Sequence, residues 1–97
     1  MEYKISIFKN GFSKSGMISD SETFTRNAFQ KYKPGDHDCA EYISSQMERI
    51  YKGKWNVFIF PESNGSSNWH GDEWIRFLVT GKELGSELYH VVIFKSS

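Results

Sequence analysis

The stretch Leu88-Tyr89-His90-Val91-Val92-Ile93-Phe94-Lys95 is the longest run of strand-favouring residues in the chain. Valine, isoleucine, tyrosine and phenylalanine favour the pleated surface of a β-sheet. Residues 89–94 do not alternate between polar and apolar side chains, and this pattern is typical of a strand that is covered on both faces. We therefore expect this segment to be a central strand of a sheet.

Two helices are predicted upstream of this strand. The segment Ser19-Asp20-Ser21-Glu22 has the spacing of a capping box and predicts a helix that runs to about Lys33. Pro34-Gly35 should end it, since proline disfavours helical geometry in the residue before it. Apolar residues then recur every three or four positions from Asp38 to Tyr51, which predicts a second amphipathic helix with Asp36 as its cap.

Three further segments have the composition of strands. They are Tyr3–Phe8, Trp55–Phe60 and Trp74–Val79. A strand, two helices and then a run of strands indicate an α+β fold with an antiparallel sheet, in which the paired helices cover one face. Local signals alone identify residues 61–71 as a loop with a turn at Asn64-Gly65.

Composition excludes several classes of function. The 97 residues fit a single domain, residues 1–97. Twelve basic and twelve acidic side chains cancel, so the sequence lacks the positive charge typical of proteins that bind nucleic acids or anionic membranes. No apolar run is long enough to span a membrane, and the N-terminus does not resemble a signal peptide. A single cysteine cannot form an internal disulfide, and we expect a cytoplasmic protein.

No motif in the sequence calls for catalysis, a metal or a cofactor. Asp36-His37-Asp38 could suggest a metal site, but consecutive residues at a helix start cannot all face one ion, and acids at a positive helix end explain the pattern better. Cys39 could act as a nucleophile with His37, His70 or His90, but its place in the predicted helix favours a small buried residue. Residues 81–85 lack the spacing of a phosphate-binding loop. We expect a protein that is not an enzyme.

A set of landmarks spans nearly the whole chain. They are Ile7-Phe8-Lys9-Asn10, Met17, Asp20-Ser21, Ala28, Lys31-Tyr32, Asp38, Ala40, Ile43, Tyr51, Lys54-Trp55, Gly65-Ser66, His70, Ile75, Phe77 and Phe94-Lys95-Ser96. In this order and spacing the chain resembles the small dynein light chain family, the class that dimerises by exchanging a strand, as distinct from the Tctex-type and Roadblock-type light chains.

The resemblance implies a homodimer in which two sheets form a sandwich flanked by helices, with residues 64–70 as the exchanged edge strand. An extended peptide can add to such an edge through backbone hydrogen bonds. In the family, the groove at the dimer edge binds short motifs of disordered partners, often built on Thr-Gln-Thr, and the dynein intermediate chain is one such partner. The resemblance therefore implies a cytoskeleton-associated hub that belongs to, or acts alongside, a microtubule motor complex.

Site residues follow from the resemblance by position. The implied peptide-binding residues are Lys9, Asn10, Asp36, His37, Asn64, Gly65, Ser66, Ser67, Asn68, Trp69, His70 and Arg76. The implied dimer interface comprises Trp55, Asn56, Val57, Phe58, Gly65, Ser66 and Trp69.

Several implied groove positions depart from the family pattern. Asn64 and Ser67 replace aromatic residues, Trp69 a threonine, His37 a lysine, and Arg76 and Leu78 replace tyrosines. Each lost aromatic wall removes apolar contact worth on the order of 1 kcal/mol or more when buried, so we expect the usual motif to bind weakly or not at all. Asn56 replaces an interface histidine, so dissociation of the dimer at low pH through that position is not expected. Residues 80–87 form a longer connection than the family's.

Two alternatives to a motif-binding light chain stay open. One is a diverged paralogue whose groove is altered or lost. The other is a small thiol enzyme that uses Cys39, and this requires an accessible thiol with a lowered pKa.

Overall fold

The computed structural model describes residues 3–12, 14–34, 36–62, 73–85 and 87–96, which form one sheet and two helices. The elements in chain order are β1 (Tyr3–Asn10), α1 (Ser15–Lys31), α2 (His37–Ile50), β2 (Lys54–Pro61), β3 (Trp74–Gly81) and β4 (Tyr89–Ser96), with a short 3-10 helix (Lys82–Leu84) before β4. All strand pairs are antiparallel. The order of elements confirms the predicted α+β class.

The four strands lie in the order β1-β3-β4-β2. The C-terminal strand β4 is therefore an interior strand, bonded to β3 on one side and to β2 on the other, as its sequence predicts. Four consecutive residues of β4, His90 to Ile93, are buried, although they point alternately to opposite faces. The two edges of the sheet are β1 and β2.

The helices pack against one face of the sheet and form the core with it. From the strands, the core contains Tyr3, Trp55, Ile75, Phe77, Val79, Val91 and Ile93. From the helices, it contains Met17, Phe24, Ala28, Phe29, Cys39, Ile43 and Met47. Alternate residues of the strands and residues three to four apart in the helices supply these side chains, as the two periodicities require.

The first helix begins earlier than its sequence predicts. The predicted capping box at Ser19 is wrong as a start, because α1 already begins at Ser15 and Lys14 occupies the cap position without a side-chain cap bond. The extra turn carries Met17 into the core, and burial of this side chain stabilises the longer helix. Ser21 is not a cap but lies buried inside the helix, where its hydroxyl donates to the carbonyl of Ile18.

The second helix begins close to its predicted start. Asp36 occupies the cap position of α2, as predicted, although its carboxylate makes no capping hydrogen bond. Among the helices that the structure describes, none is both long and apolar enough to cross a membrane. The predicted turn at Asn64-Gly65 and the predicted exchanged strand, residues 64–70, lie outside the described residues.

Candidate functional site

A groove runs along the outer edge of β2, between this strand and the start of α2. Its main part has a volume of about 530 Å³ and is lined by Pro34, Asp36, His37, Ala40, Val57, Phe58, Ile59 and Phe60. A second hollow of about 390 Å³ continues it towards Trp55, Asn56 and Ser44. Since β2 is an edge strand, the groove has a row of backbone groups along one wall.

The outer edge of β2 carries backbone groups that point away from β4. The N–H of Trp55 points outward and donates to the carboxylate of Glu48 at 3.1 Å. Backbone groups alternate in direction along a strand, so those of Val57 and Ile59 point to the same side as the N–H of Trp55. Among the described residues no strand pairs with this edge. The edge can therefore accept an added strand.

Two polar residues at the start of α2 lie at the mouth of the groove. His37 and Asp36 are both exposed there, and His37 Nε2 lies 2.8 Å from the carboxylate of Glu41, one turn further along the helix. The structure thus brings Asp36 and His37, two of the predicted peptide-binding residues, together with Val57 and Phe58 from the predicted interface. Their roles in binding stay predictions.

The face of the sheet opposite the helices carries large apolar side chains. We call it the second face, and it comprises Phe8, Asn56, Phe58, Phe60, Trp74, Arg76, Leu78, His90, Val92 and Phe94. Phe58 is 50 % exposed and Phe8 is 45 % exposed. The rings of Phe58 and Phe94 pack against each other with centroids 5.6 Å apart. No described helix covers this face.

A bulge in β1 shapes one end of the second face. The pairing with β3 shifts between Ile7 and Lys9, so Phe8 and Lys9 together lie opposite Arg76. Lys9 Nζ lies 5.9 Å from the centre of the Phe8 ring. The bulge therefore turns one aromatic and one cationic side chain towards Arg76.

Arg76, His90 and two phenylalanines form a cluster on this face. The Arg76 guanidinium lies over the rings of Phe8 and Phe60, at 5.0 Å and 5.6 Å from their centres. Its Nε–H donates to Nδ1 of His90 at 3.1 Å. The imidazole of His90 stacks on Phe60 at a centroid distance of 5.2 Å and an interplanar angle of 9°. The cluster therefore holds both polar side chains in fixed orientations.

His90 is neutral in this cluster. Burial lowers its pKa, and the positive charge of Arg76 lowers it further, while the carboxylate of Glu62 acts in the opposite direction. Because Nδ1 accepts from Arg76, the proton of the neutral ring lies on Nε2, which faces a carboxylate oxygen of Glu62 at 3.5 Å. Glu62, His90 and Arg76 thus form a connected row of polar groups.

The predicted peptide-binding residues do not all lie close together in a single chain. Lys9, Asn10 and Arg76 lie on β1 and β3, whereas Asp36 and His37 lie beside β2 at the other edge of the sheet. Three strand spacings, about 14 Å, separate β1 from β2. The predicted residues Asn64, Gly65, Ser66, Ser67, Asn68, Trp69 and His70 lie outside the described part of the chain.

The predicted interface residues divide between the two faces. Trp55 is only 3 % exposed and packs in the core against Phe12 and Tyr51. Val57 also packs towards the helices, whereas Asn56 and Phe58 belong to the second face. Phe8, Phe60 and Glu62 were not among the predicted site residues. The signal that could have indicated Phe60 is that β2 is apolar at consecutive positions and therefore on both of its faces.

Cys39 lacks the accessible thiol and the lowered pKa that a catalytic thiol requires. Its side chain is fully buried, and burial, followed by the negative charge of Asp36, raises its pKa to about 12. A thiol of this kind carries almost no thiolate, which is the nucleophilic form. Within the described ranges, no group of three potential ligands is arranged to bind a metal ion.

Comparison with known proteins identifies the fold. No family model matches the sequence, and no curated protein matches it either. Among solved structures, the chain is similar to the dynein light chain-like domain of a calcium-binding protein from Fasciola hepatica, with a TM-score of 0.59 and 15 % sequence identity. The match covers 100 % of this chain and 96 % of that one. The chain therefore has the fold of a dynein light chain-like domain.

Proposed function

We propose that this protein is a non-catalytic, dynein light chain-like adaptor that forms a homodimer and binds short extended segments of partner proteins. The observation that carries the proposal is the free edge of β2 beside an open groove, next to a sheet face on which Phe58 is half exposed. A free edge accepts a strand, and an exposed apolar face requires a cover. A second copy of the chain can supply both.

In this proposal the homodimer forms when each protomer lends residues 64–70 to the free edge of the other's β2. The two second faces then lie towards each other in a sandwich. Extended segments of partner proteins add to the exchanged strand by backbone hydrogen bonding, and side chains of the groove select among them. Partners include disordered segments with short linear motifs, the dynein intermediate chain among them, within or alongside a cytoplasmic microtubule motor complex.

The oligomeric state tests the dimer directly. Sedimentation velocity over a range of micromolar concentrations should give a species of twice the chain mass. A strict monomer at all concentrations would refute the shared groove and with it the binding mode.

Peptide binding separates the main proposal from its diverged form. Isothermal titration measures the affinity for a Thr-Gln-Thr peptide and for a segment of the dynein intermediate chain. A mixed peptide array shows which other peptides the protein binds. Binding of the usual motif supports an ordinary motif-binding hub. Binding only outside that motif supports a diverged groove, which the replacement of tyrosines by Arg76 and Leu78 favours.

A further inference from the structure

The guanidinium of Arg76 is fixed before any ligand arrives. Its Nε–H donates to His90 Nδ1 at 3.1 Å, and its central carbon lies over the rings of Phe8 and Phe60. His90 is itself held by stacking on Phe60 and by Glu62 at its other nitrogen. A guanidinium held in this way loses little conformational freedom when it binds a further group.

Within the described part of the chain, the Nη side of Arg76 has no counter-charge. Among the described residues no carboxylate lies within ion-pair distance of Arg76, and the nearest acid of the cluster, Glu62, faces His90 instead. The Nε–H donates to His90, and neither Nη nitrogen donates a hydrogen bond to a described residue. Its two Nη groups form a fork that matches the two oxygens of a carboxylate.

The surroundings add to the attraction for an acid. The bulge of β1 puts Lys9 opposite Arg76, so two cations flank the ring of Phe8. Two aromatic rings next to the guanidinium limit its contact with water, which makes a charge-assisted hydrogen bond stronger than at an open surface. Phe8, which is 45 % exposed, provides apolar surface beside this polar group.

We propose that Arg76 is a specificity-determining residue that binds the side-chain carboxylate of an Asp or Glu in an extended segment of a partner protein, with an apolar side chain of that segment packed on Phe8. This inference rests on the proposed function and names the chemistry of the segment that the adaptor selects. The chain discriminates between an acid and its isosteric amide, because only the carboxylate supplies a negative charge to the Nη fork.

The test uses the full chain and a library of immobilised extended peptides rich in Val, Thr and Phe. Each peptide is made in three versions that differ at one position, with Glu, Gln or Lys. The best binders are then titrated in solution against the wild type, R76Q and R49Q. Arg49 is a matched control, since it is an exposed arginine of α2 whose guanidinium bonds Gln46, far from the second face.

We expect the wild type to bind the Glu version about tenfold or more tightly than the Gln version, as hydrogen bonds between charged groups generally imply. The preference should disappear in R76Q and persist in R49Q. R76K, which keeps the charge but not the fork, should retain only part of it. The comparison of Glu and Gln peptides on the wild type does not depend on whether any variant folds.

Three results would contradict the inference, and each has a different consequence for the adaptor function. Peptide binding without an acid preference would overturn the role of Arg76 and leave the adaptor function intact. Dissociation of the R76Q dimer with an unchanged acid preference would assign Arg76 to contacts between copies of this chain and overturn the proposal. Absence of any peptide binding would overturn the adaptor function and the inference with it.

Discussion

The two faces of the sheet differ in how completely one chain buries them. On the helix-covered face, Ile75, Phe77 and Val79 have no exposed surface at all. On the second face, Phe58 is 50 % exposed, although it packs against the ring of Phe94. A sheet with two apolar faces needs two covering layers, and the described helices supply only one. The exposed second face is therefore the surface on which we expect a further covering layer to pack.

The sharpest test of this difference compares adjacent residues of β3 that point to opposite faces. Phe77 lies in the core, and its neighbour Leu78 is half-buried on the second face. We expect F77A to lower the free energy of unfolding by about 3–5 kcal/mol, because it removes a buried ring and leaves a cavity. L78A should cost about 1 kcal/mol.

Urea denaturation at one fixed protein concentration measures both values, since the stability of a dimer depends on concentration. Equal losses in F77A and L78A would show that the two faces contribute alike to the stability of the fold.

A second prediction concerns self-association. In F58S, each protomer loses an aromatic contact worth about 1.5 kcal/mol, so a symmetric dimer loses about 3 kcal/mol, which raises its dissociation constant on the order of 100-fold. I50S is the matched control, because Ile50 at the end of α2 is 49 % exposed but lies away from the second face. Sedimentation equilibrium measures the two constants.

An unchanged constant in F58S would remove Phe58 from the dimer contact. Circular dichroism of both variants is the control that tests whether the secondary structure is retained.

Sequence patterns predicted the fold well because each element has one dominant signal. The uniform apolarity of residues 89–94 placed β4 inside the sheet, and the period of α2 placed Ile43 and Met47 in the core. The start of α1 was predicted wrongly, because Ser19 has the local chemistry of a cap while the burial of Met17, a tertiary effect, extends the helix by a turn. Local capping signals cannot report such packing.

The candidate site was less accessible to sequence reasoning. Asp36 and His37 lie at the mouth of the groove, at the start of a helix that can be recognised from its cap and the proline before it, and their role in binding stays a prediction. The cluster of Arg76 with Phe8, however, depends on a bulge and on pairing between β1 and β3. These residues are far apart in the chain, and no local pattern indicates that they meet.

The smallest expected effect is a change in pH dependence at the cluster on the second face. Burial and the charge of Arg76 lower the pKa of His90 in the folded protein below its ordinary value of 6.5, despite the opposing effect of Glu62. The unfolded chain therefore binds this proton at a higher pH than the folded chain, and the folded state loses stability as the pH falls below about 6.5. In H90Q, the amide oxygen can still accept from Arg76 but cannot be protonated. We expect the free energy of unfolding to fall less in H90Q than in the wild type between about pH 7 and about pH 5.5.

Urea titrations at each pH measure this difference, with H37Q as the control because it removes an exposed histidine outside the cluster. H37Q should keep the acid sensitivity that His90 causes. Parallel pH profiles of H90Q and the wild type would instead show that protonation of this imidazole costs the fold nothing. The repulsion between a protonated His90 and the Arg76 guanidinium, whose Nε lies 3.1 Å from His90 Nδ1, would then have no effect on the stability of the fold.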